Sequence, residues 1–163
     1  AIGEMLKALG MTVIGVTRTP RPVAGFDEMM PTDRLIDAAR RADYLINVLP
    51  AEPQNIGLFN AAIFGAMKPS AFYINAGRGQ TDDEAALIAA LRERRIGGAG
   101  LDVFQKSPLP PDSPFWDLPN VFITPNVGGY IVEYEDLIMP LVVDNMRAFL
   151  AGKRSEMQNI VAR

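Results

Sequence analysis

The sequence predicts an α/β fold built as a doubly wound, mostly parallel sheet, and three observations carry that prediction. Short apolar runs rich in β-branched and aromatic residues recur at 12–16 (TVIGV), 44–49 (YLINVL), 71–76 (AFYINA), 100–104 (GLDVF) and 121–125 (VFITP). Segments of helical periodicity lie between most of them, at 34–42, 56–68 and 82–95. The strand runs are continuous rather than alternating, which implies burial on both faces of a sheet joined by right-handed crossovers.

Taken in order, the chain opens inside an amphipathic helix. Ile2, Met5, Leu6 and Leu9 fall at helical spacing and Gly10 ends the run. A start in mid-helix implies that something preceded it, either a short leader or the rest of a larger protein. The helix over 82–95 carries its own start signal, because Thr81 can cap and Glu84 can reach back to it as a capping box. Arg92, Arg94 and Arg95 suit its negative end, and Gly97 and Gly98 can supply the left-handed stop. The proline-rich stretch 107–119 (SPLPPDSPFWDLP) must be a surface loop, since proline removes donors and restrains the preceding residue, with Phe115 and Trp116 as its anchors. A final helix is expected from Ile131 to Leu150, with apolar Leu137, Ile138, Leu141, Val142, Met146 and Phe149 and a kink at Pro140.

Composition narrows the function. A chain of 163 residues with 48% hydrophobic content reads as one domain, 1–163, with a real core. Sixteen basic against 19 acidic residues provide no field for a polyanion, so nucleic acid is not an expected partner. There is no cysteine and no histidine, which leaves no thiolate or imidazole for zinc, iron or copper, and no metal is expected. No apolar run reaches the roughly 18 to 20 residues that span a bilayer, and the expectation is a cytoplasmic protein with no membrane partner.

In a doubly wound sheet ligands bind at the carboxyl ends of the strands. The residues there are Thr17, Arg18 and Thr19; Leu49 and Pro50; Ala76, Gly77, Arg78 and Gly79; Asp102; and Asn126, Gly128 and Gly129.

Read together and in order, LKALGMTVIGVTRTP, LINVLP, YINAGRG, GGAGLDVFQKSPLPPDSPFWDLPNVFITPNVGG and NMRAFLAGK closely resemble the cofactor-binding domain of the D-isomer-specific 2-hydroxyacid dehydrogenases. The resemblance runs almost end to end. It implies a Rossmann-like domain and hydride transfer between NADP or NAD and a small 2-keto or 2-hydroxy acid. It also implies three working residues: an arginine in INxxRG, a glutamate shortly before PLP and a histidine in TPH.

The arginine matches Arg78, whose planar guanidinium can grip a substrate carboxylate through two hydrogen bonds, although an arginine there can also cap carbonyls. The other two positions depart from the pattern. The glutamate falls on Ser107 and the histidine on Asn126. An imidazole with a carboxylate beside it donates and recovers a proton near neutral pH, and an amide does neither. An inactive or very weak oxidoreductase is therefore expected, with Asn126 able at most to donate a hydrogen bond to a carbonyl oxygen.

Thr17, Arg18 and Thr19, with Arg21 close by, stand where the family often carries an acidic residue for the ribose hydroxyls. Positive charge and hydroxyls suit a 2′-phosphate, and a solvated turn is the alternative. Asp102 resembles the residue near the nicotinamide carboxamide, or else binds neighbouring backbone amides. Pro50, Ala76, Gly77, Asn126 and Gly128 resemble other cofactor-lining positions, or are ordinary strand-end residues. The family's glycine-rich fingerprint should lie just before Ala1 and its substrate domain is not in the sequence, so the domain reads as truncated and cofactor binding as weak. In the family strand order 3-2-1-4-5-6, loss of the first strand leaves two strands facing a gap, to be closed by rearrangement, by a borrowed strand, or by pairing with a second copy in a homodimer or higher homo-oligomer. Two other readings stay open: a non-catalytic binding module, and an ester hydrolase using Ser107 beside Lys106 in the vacated cleft.

Overall fold

The computed structural model describes residues 1–130 and 132–160. The chain forms two compact units, Ala1–Asn126 and Val127–Arg163. Among the described residues no helix is long and apolar enough to cross a membrane.

The first unit opens with α1 (Ile2–Ala8), β1 (Ile14–Thr17) and β2 (Glu28–Pro31). It continues with α2 (Leu35–Arg41), β3 (Tyr44–Asn47), α3 (Ala61–Ala66), β4 (Phe72–Asn75), α4 (Glu84–Arg92), β5 (Gly98–Leu101) and β6 (Val121–Ile123). All strand pairs are parallel, and the strands form two sheets, β1-β2 and β3-β4-β5-β6. Among the described residues β1 and β3 each pair on one side only. The described strands thus do not form one continuous hydrogen-bonded sheet. Asp27 fixes the entry to β1: its carboxylate accepts from Val13 N and from Lys7 Nζ, both at 2.7 Å.

Each strand expected from the apolar runs is present, shifted or shortened by one or a few residues. β2 was not foreseen, because Glu-Met-Met-Pro has none of the β-branched enrichment that marks a strand. The helix expected over 56–68 shrinks to α3. Gly57 has a φ of +61°, which a right-handed helix excludes, and Phe59 instead bridges Asp82 in parallel fashion. Asn60 then caps α3, its side chain accepting from Ala62 N at 3.0 Å and from Ile63 N at 3.4 Å.

The expected capping box on α4 is also different. Asp83, not Thr81, is the cap, accepting from Ala86 N at 3.0 Å, while Glu84 accepts from Gln105 N. The left-handed residue after α4 is Arg94 (φ 54°), and Gly98 already belongs to β5. In the proline-rich loop Phe115 is buried as anticipated, whereas Trp116 is exposed and donates its indole N–H to Pro110 O.

The core lies on one face of the four-stranded sheet. Leu35 and Ala39 of α2, Ile63 and Phe64 of α3, and Leu87, Ala90 and Leu91 of α4 pack with Leu45, Tyr73, Ala99 and Leu101 of the strands. Phe64 meets the Tyr73 ring edge-on at 5.1 Å and Phe59 tilts against it at 5.4 Å. The opposite face does not match the expectation of burial on both sides. Tyr44 is 52% exposed, Phe72 42% and Phe122 72%, with Tyr44 and Phe72 stacked at 6.2 Å. The apolar residues are continuous in sequence, but only every second one meets a helix.

The second unit is built on α5 (Tyr134–Leu150), which contains Pro140. Its expected start at Ile131 lies outside the described residues. Asn145 ties the helix to the following turn, donating to Gln158 O at 2.9 Å and accepting from Gln158 N at 2.8 Å. Arg154 lies over the Phe149 ring.

Phe64 is fully buried and centred in the cluster. Phe64→Ala is expected to lower stability by about 3–5 kcal/mol in urea unfolding. A loss below about 1 kcal/mol would contradict this placement of the core.

Candidate active site

Strands β3 and β4 end alike. Asn47 and Asn75 are register partners and both are buried. Each turns its side-chain oxygen onto the amide two residues on, Asn47 Oδ1 accepting from Leu49 N at 3.0 Å and Asn75 Oδ1 from Gly77 N at 2.9 Å. These Asx turns swing the chain out of the sheet at the ends where ligands of parallel sheets bind.

The turns are pressed together. A Cβ on Gly77 would stand 2.7 Å from Leu49 O, and a Cβ on Gly79 would stand 1.9 Å from Phe104 C. Only glycine permits these approaches of backbone to backbone. Between the two glycines sits Arg78, extended and exposed, with Nη1 donating to Gly77 O at 2.7 Å. No carboxylate pairs with its guanidinium among the described residues. The Arg78 carbonyl is held from behind, by the Thr81 hydroxyl at 2.6 Å, Thr81 N at 3.1 Å and Asn75 Nδ2 at 3.4 Å.

Beneath these turns lies a buried polar cluster that the sequence did not reveal. Asp82 is 3% exposed. Its carboxylate accepts from the Tyr73 hydroxyl at 2.5 Å and from Asn75 Nδ2 at 2.8 Å. Asn47 Nδ2 donates to Thr81 Oγ1 at 2.7 Å and to Tyr73 Oη at 3.0 Å, and lies 3.4 Å from Asp82 Oδ1. No buried side-chain nitrogen or oxygen among the described residues lacks a partner.

Burial pushes the Asp82 carboxyl up to about 6, against the opposing pull of hydrogen bonds from Tyr73, Asn75 and Thr81; Glu84 adds a smaller upward push. The Tyr73 hydroxyl is held well above its ordinary range, first by burial and then by the neighbouring Asp82 charge. The paired asparagines in LIN and YIN were the available signal. The Asp82-Asp83 doublet reads from sequence as a helix start, and only one of the two aspartates serves that purpose.

The other expected positions are distributed as follows. Pro50 and Ala76 are exposed at the ends of β3 and β4, and Pro50 O accepts from Asn55 Nδ2 at 3.0 Å. Asp102, just beyond β5, is half-buried; its carboxylate accepts from the Thr124 hydroxyl, and its amide donates to Asn75 O. Asn126 is exposed with a φ of 59°, a left-handed conformation that asparagine and histidine tolerate better than most residues. Ser107 and Lys106 are both exposed in the loop after β5.

Thr17 is half-buried, and Arg18 and Thr19 are exposed, at the end of β1 on the two-stranded sheet. Arg18 reaches across to Glu52, in the loop after β3, at 3.5 Å. Gly128 belongs to the Val127–Arg163 unit, so the structure does not group it with these positions.

The sequence profile of the D-isomer specific 2-hydroxyacid dehydrogenase NAD-binding domain matches residues 1–128. The chain belongs to that family. It is 46% identical over 121 residues to a glyoxylate/hydroxypyruvate reductase B of Citrobacter koseri, covering 74% of this chain and 36% of that protein. It is 34% identical over 153 residues to a glyoxylate/hydroxypyruvate reductase A of Yersinia enterocolitica, covering 94% of this chain and 48% of that protein. The chain thus spans half or less of these relatives. A family protein from Aeromonas salmonicida superposes with a TM-score of 0.86 at 39% identity, over 93% of this chain and 48% of that one. An NADPH-dependent glyoxylate/hydroxypyruvate reductase from Sinorhizobium meliloti, solved with NADP and sulfate, gives 0.83 at 35% identity, over 92% and 48%. The fold is accordingly the Rossmann fold of these dehydrogenases, and the domain is of the NAD-binding type.

Two outcomes test this geometry. Gly79→Ala forces a Cβ into the Phe104 backbone and is expected to cost more than about 2 kcal/mol, whereas Gly100→Ala, whose Cβ meets only Ile74 Cγ1 at 3.8 Å, is expected to stay within about 1 kcal/mol. Equal costs in thermal unfolding would contradict the close approach.

The second outcome concerns pH. The Asp82 carboxyl has a folded value raised from 3.8 to about 6, so between these values the folded state binds more protons than the unfolded one. Its contribution to stability is full below pH 4 and is lost as pH rises through 6. Stability relative to Asp82→Asn should fall by on the order of 2–3 kcal/mol across that window and stay flat above it. A difference that does not change with pH would contradict the assignment.

Proposed function

We propose that residues 1–163 act as a single dinucleotide-binding domain of 2-hydroxyacid reductase type, one that retains the substrate-carboxylate grip but lacks the proton donor of efficient turnover. The observation that carries the reading is Arg78. Its guanidinium is exposed and has no carboxylate partner among the described residues, and its backbone is clamped at the carboxyl end of β4. That arrangement suits a bidentate hold on the carboxylate of a small 2-oxo acid such as glyoxylate or hydroxypyruvate.

The strand-end residues fit a nicotinamide dinucleotide. Thr17, Arg18 and Thr19 offer hydroxyls and positive charge for a 2′-phosphate, and the exposed Arg18–Glu52 pair is weak enough to yield to it. NADP is therefore preferred over NAD. Gly77, Ala76 and Pro50 offer small surfaces at the ends of β3 and β4 for the nicotinamide end, with Asp102 and Asn126 on the loops after β5 and β6. A bound cofactor would supply the hydride.

The developing alkoxide has no imidazole to take a proton from. Asn126 and Ser107 occupy the positions of the family's histidine and glutamate, and Asn126 can donate only a hydrogen bond. Loss of a general acid typically forfeits ~10² to 10⁴ in rate. A lysine serves as base for a serine when it is desolvated, and Lys106 is exposed, so no observation favours the ester hydrolase.

The one-sided edges of β1 and β3 and the exposed Tyr44, Phe72 and Phe122 support association with a second copy, and light scattering would report it. A cytoplasmic setting, with neither nucleic acid nor membrane as partner, completes the proposal.

The test is a pair of measurements. In fluorescence titrations NADPH should bind more tightly than NADH, and Arg18→Glu should abolish the preference. Glyoxylate reduction by the unmodified chain should be slow or absent and should rise at least about 10²-fold in the Asn126→His, Ser107→Glu double variant. Turnover by the unmodified chain at ordinary enzyme rates, on the order of 1–10³ s⁻¹, would overturn the reading.

A further inference from the structure

Proteins rarely bury a carboxylate without a cation, and Asp82 has no cationic partner among the described residues. Every side-chain donor to it is neutral: the Tyr73 hydroxyl from β4, Asn75 Nδ2 from the end of β4, Asn47 Nδ2 from the end of β3 and the Thr81 hydroxyl beside it. The charged group on the helix that follows is Glu84, of the same sign. Arg78, four residues earlier, approaches through its backbone carbonyl while its guanidinium stays exposed. Desolvation makes this arrangement costly for the fold, and the hydrophobic cluster around Tyr73 does not require a charge at its edge.

The hydrogen bonds suggest what the charge is for. Asn75 has one side-chain amide, which donates to Asp82 while its oxygen holds Gly77 N; Asn47 mirrors it, with its oxygen on Leu49 N. Which way each amide faces is decided by what it donates to, and an ionised carboxylate is the strongest acceptor present. The Thr81 hydroxyl extends the same cluster to the Arg78 carbonyl. Gly77 and Leu49 are in backbone contact, so the two turns cannot be set independently.

We infer that Asp82 is a positioning residue: its ionised carboxylate fixes the two strand-end asparagines, and through them aligns the Leu49 and Arg78 turns for holding a substrate carboxylate. Neutralising it slackens both turns together and lowers the affinity of the Arg78 site without unfolding the domain. The last clause rests on the reading of Arg78 given above; the coupling of the two turns does not. Burial and the neighbouring Glu84 place this transition within a mildly acidic range, so the site should be ordered at neutral pH and loosened below it.

The coupling is tested on the unmodified 163-residue protein by following amide ¹⁵N–¹H resonances from pH 4.5 to 8. The Leu49 and Gly77 backbone amides and the Asn47 and Asn75 side-chain amides should titrate with one shared midpoint within one unit of 6. Arg78→Ala should leave that midpoint in place, and Asp82→Asn should remove it. Separate midpoints, or no titration at Leu49, overturn the inference.

The link to binding is tested with oxalate, which stays ionised above pH 5. Its affinity for the unmodified chain should fall at least fivefold from pH 7.5 to 5. In Asp82→Asn it should be weak and independent of pH, while thermal stability at pH 7.5 is equal or higher. A purely structural role for Asp82 would give lower stability with an unchanged pH profile, and that result overturns the positioning role. If Arg78→Ala binds oxalate as the unmodified chain does, the reading of Arg78 fails, and the amide titration still decides the coupling.

Discussion

The structure around the site depends on one buried hydrogen-bonded cluster, in which a carboxylate with no counter-cation among the described residues is surrounded by a phenol, a hydroxyl and two primary amides. Two neighbouring parallel strands end within it. Each must turn sharply out of the sheet, and each does so by folding an asparagine oxygen onto the amide two residues on. An asparagine used this way still has an amide nitrogen to satisfy in a dry interior. Asp82, Tyr73 and Thr81 meet that demand, and no buried side-chain nitrogen or oxygen among the described residues lacks a partner. The cluster works against stability and in favour of definition, as expected where polar groups are retained in a core to specify geometry.

Glycine supplies the other half of the constraint. Gly77 and Gly79 let the Arg78 segment lie directly on the backbones of Leu49 and Phe104, so the arginine is flanked by two contacts that no side chain could enter. Clamped glycines in front and a polar cluster behind hold the Arg78 backbone, while its side chain stays exposed. On the proposed reading, that division lets the arginine meet a charged ligand with little reorganisation. By contrast, the Ser107 and Asn126 positions lie on exposed loops with no comparable support. On the proposed reading, the Arg78 grip is built in depth, while the positions assigned to proton transfer are exposed loop residues.

Much of the fold was legible. Five β-rich runs became five strands, and Arg78, Asp102 and Asn126 follow β4, β5 and β6 as their place after the apolar runs implies. The misses have physical causes. Glu28–Pro31 forms a strand through pairing with β1, not through its own composition. Residues 56–59 have helical periodicity, but Gly57 takes a left-handed conformation and the segment bridges Asp82. Thr81 looked like a cap, yet its hydroxyl is committed to the Arg78 carbonyl, and Asp83 caps in its place. The buried cluster was hidden for a related reason. Its members lie up to 35 positions apart, and singly each is an ordinary residue for a strand end or a helix start.

The central claim, that one ionised group sets both ligand-facing turns as a unit, is tested most directly by native-state hydrogen exchange at the Leu49 and Gly77 amides near neutral pH. The account predicts that the two amides are protected to the same degree and open with a common free energy, one that drops for both when Asp82 is replaced by alanine. Strong protection at Gly77 alongside loop-like exchange at Leu49, or a response of only one of them to the substitution, would contradict it.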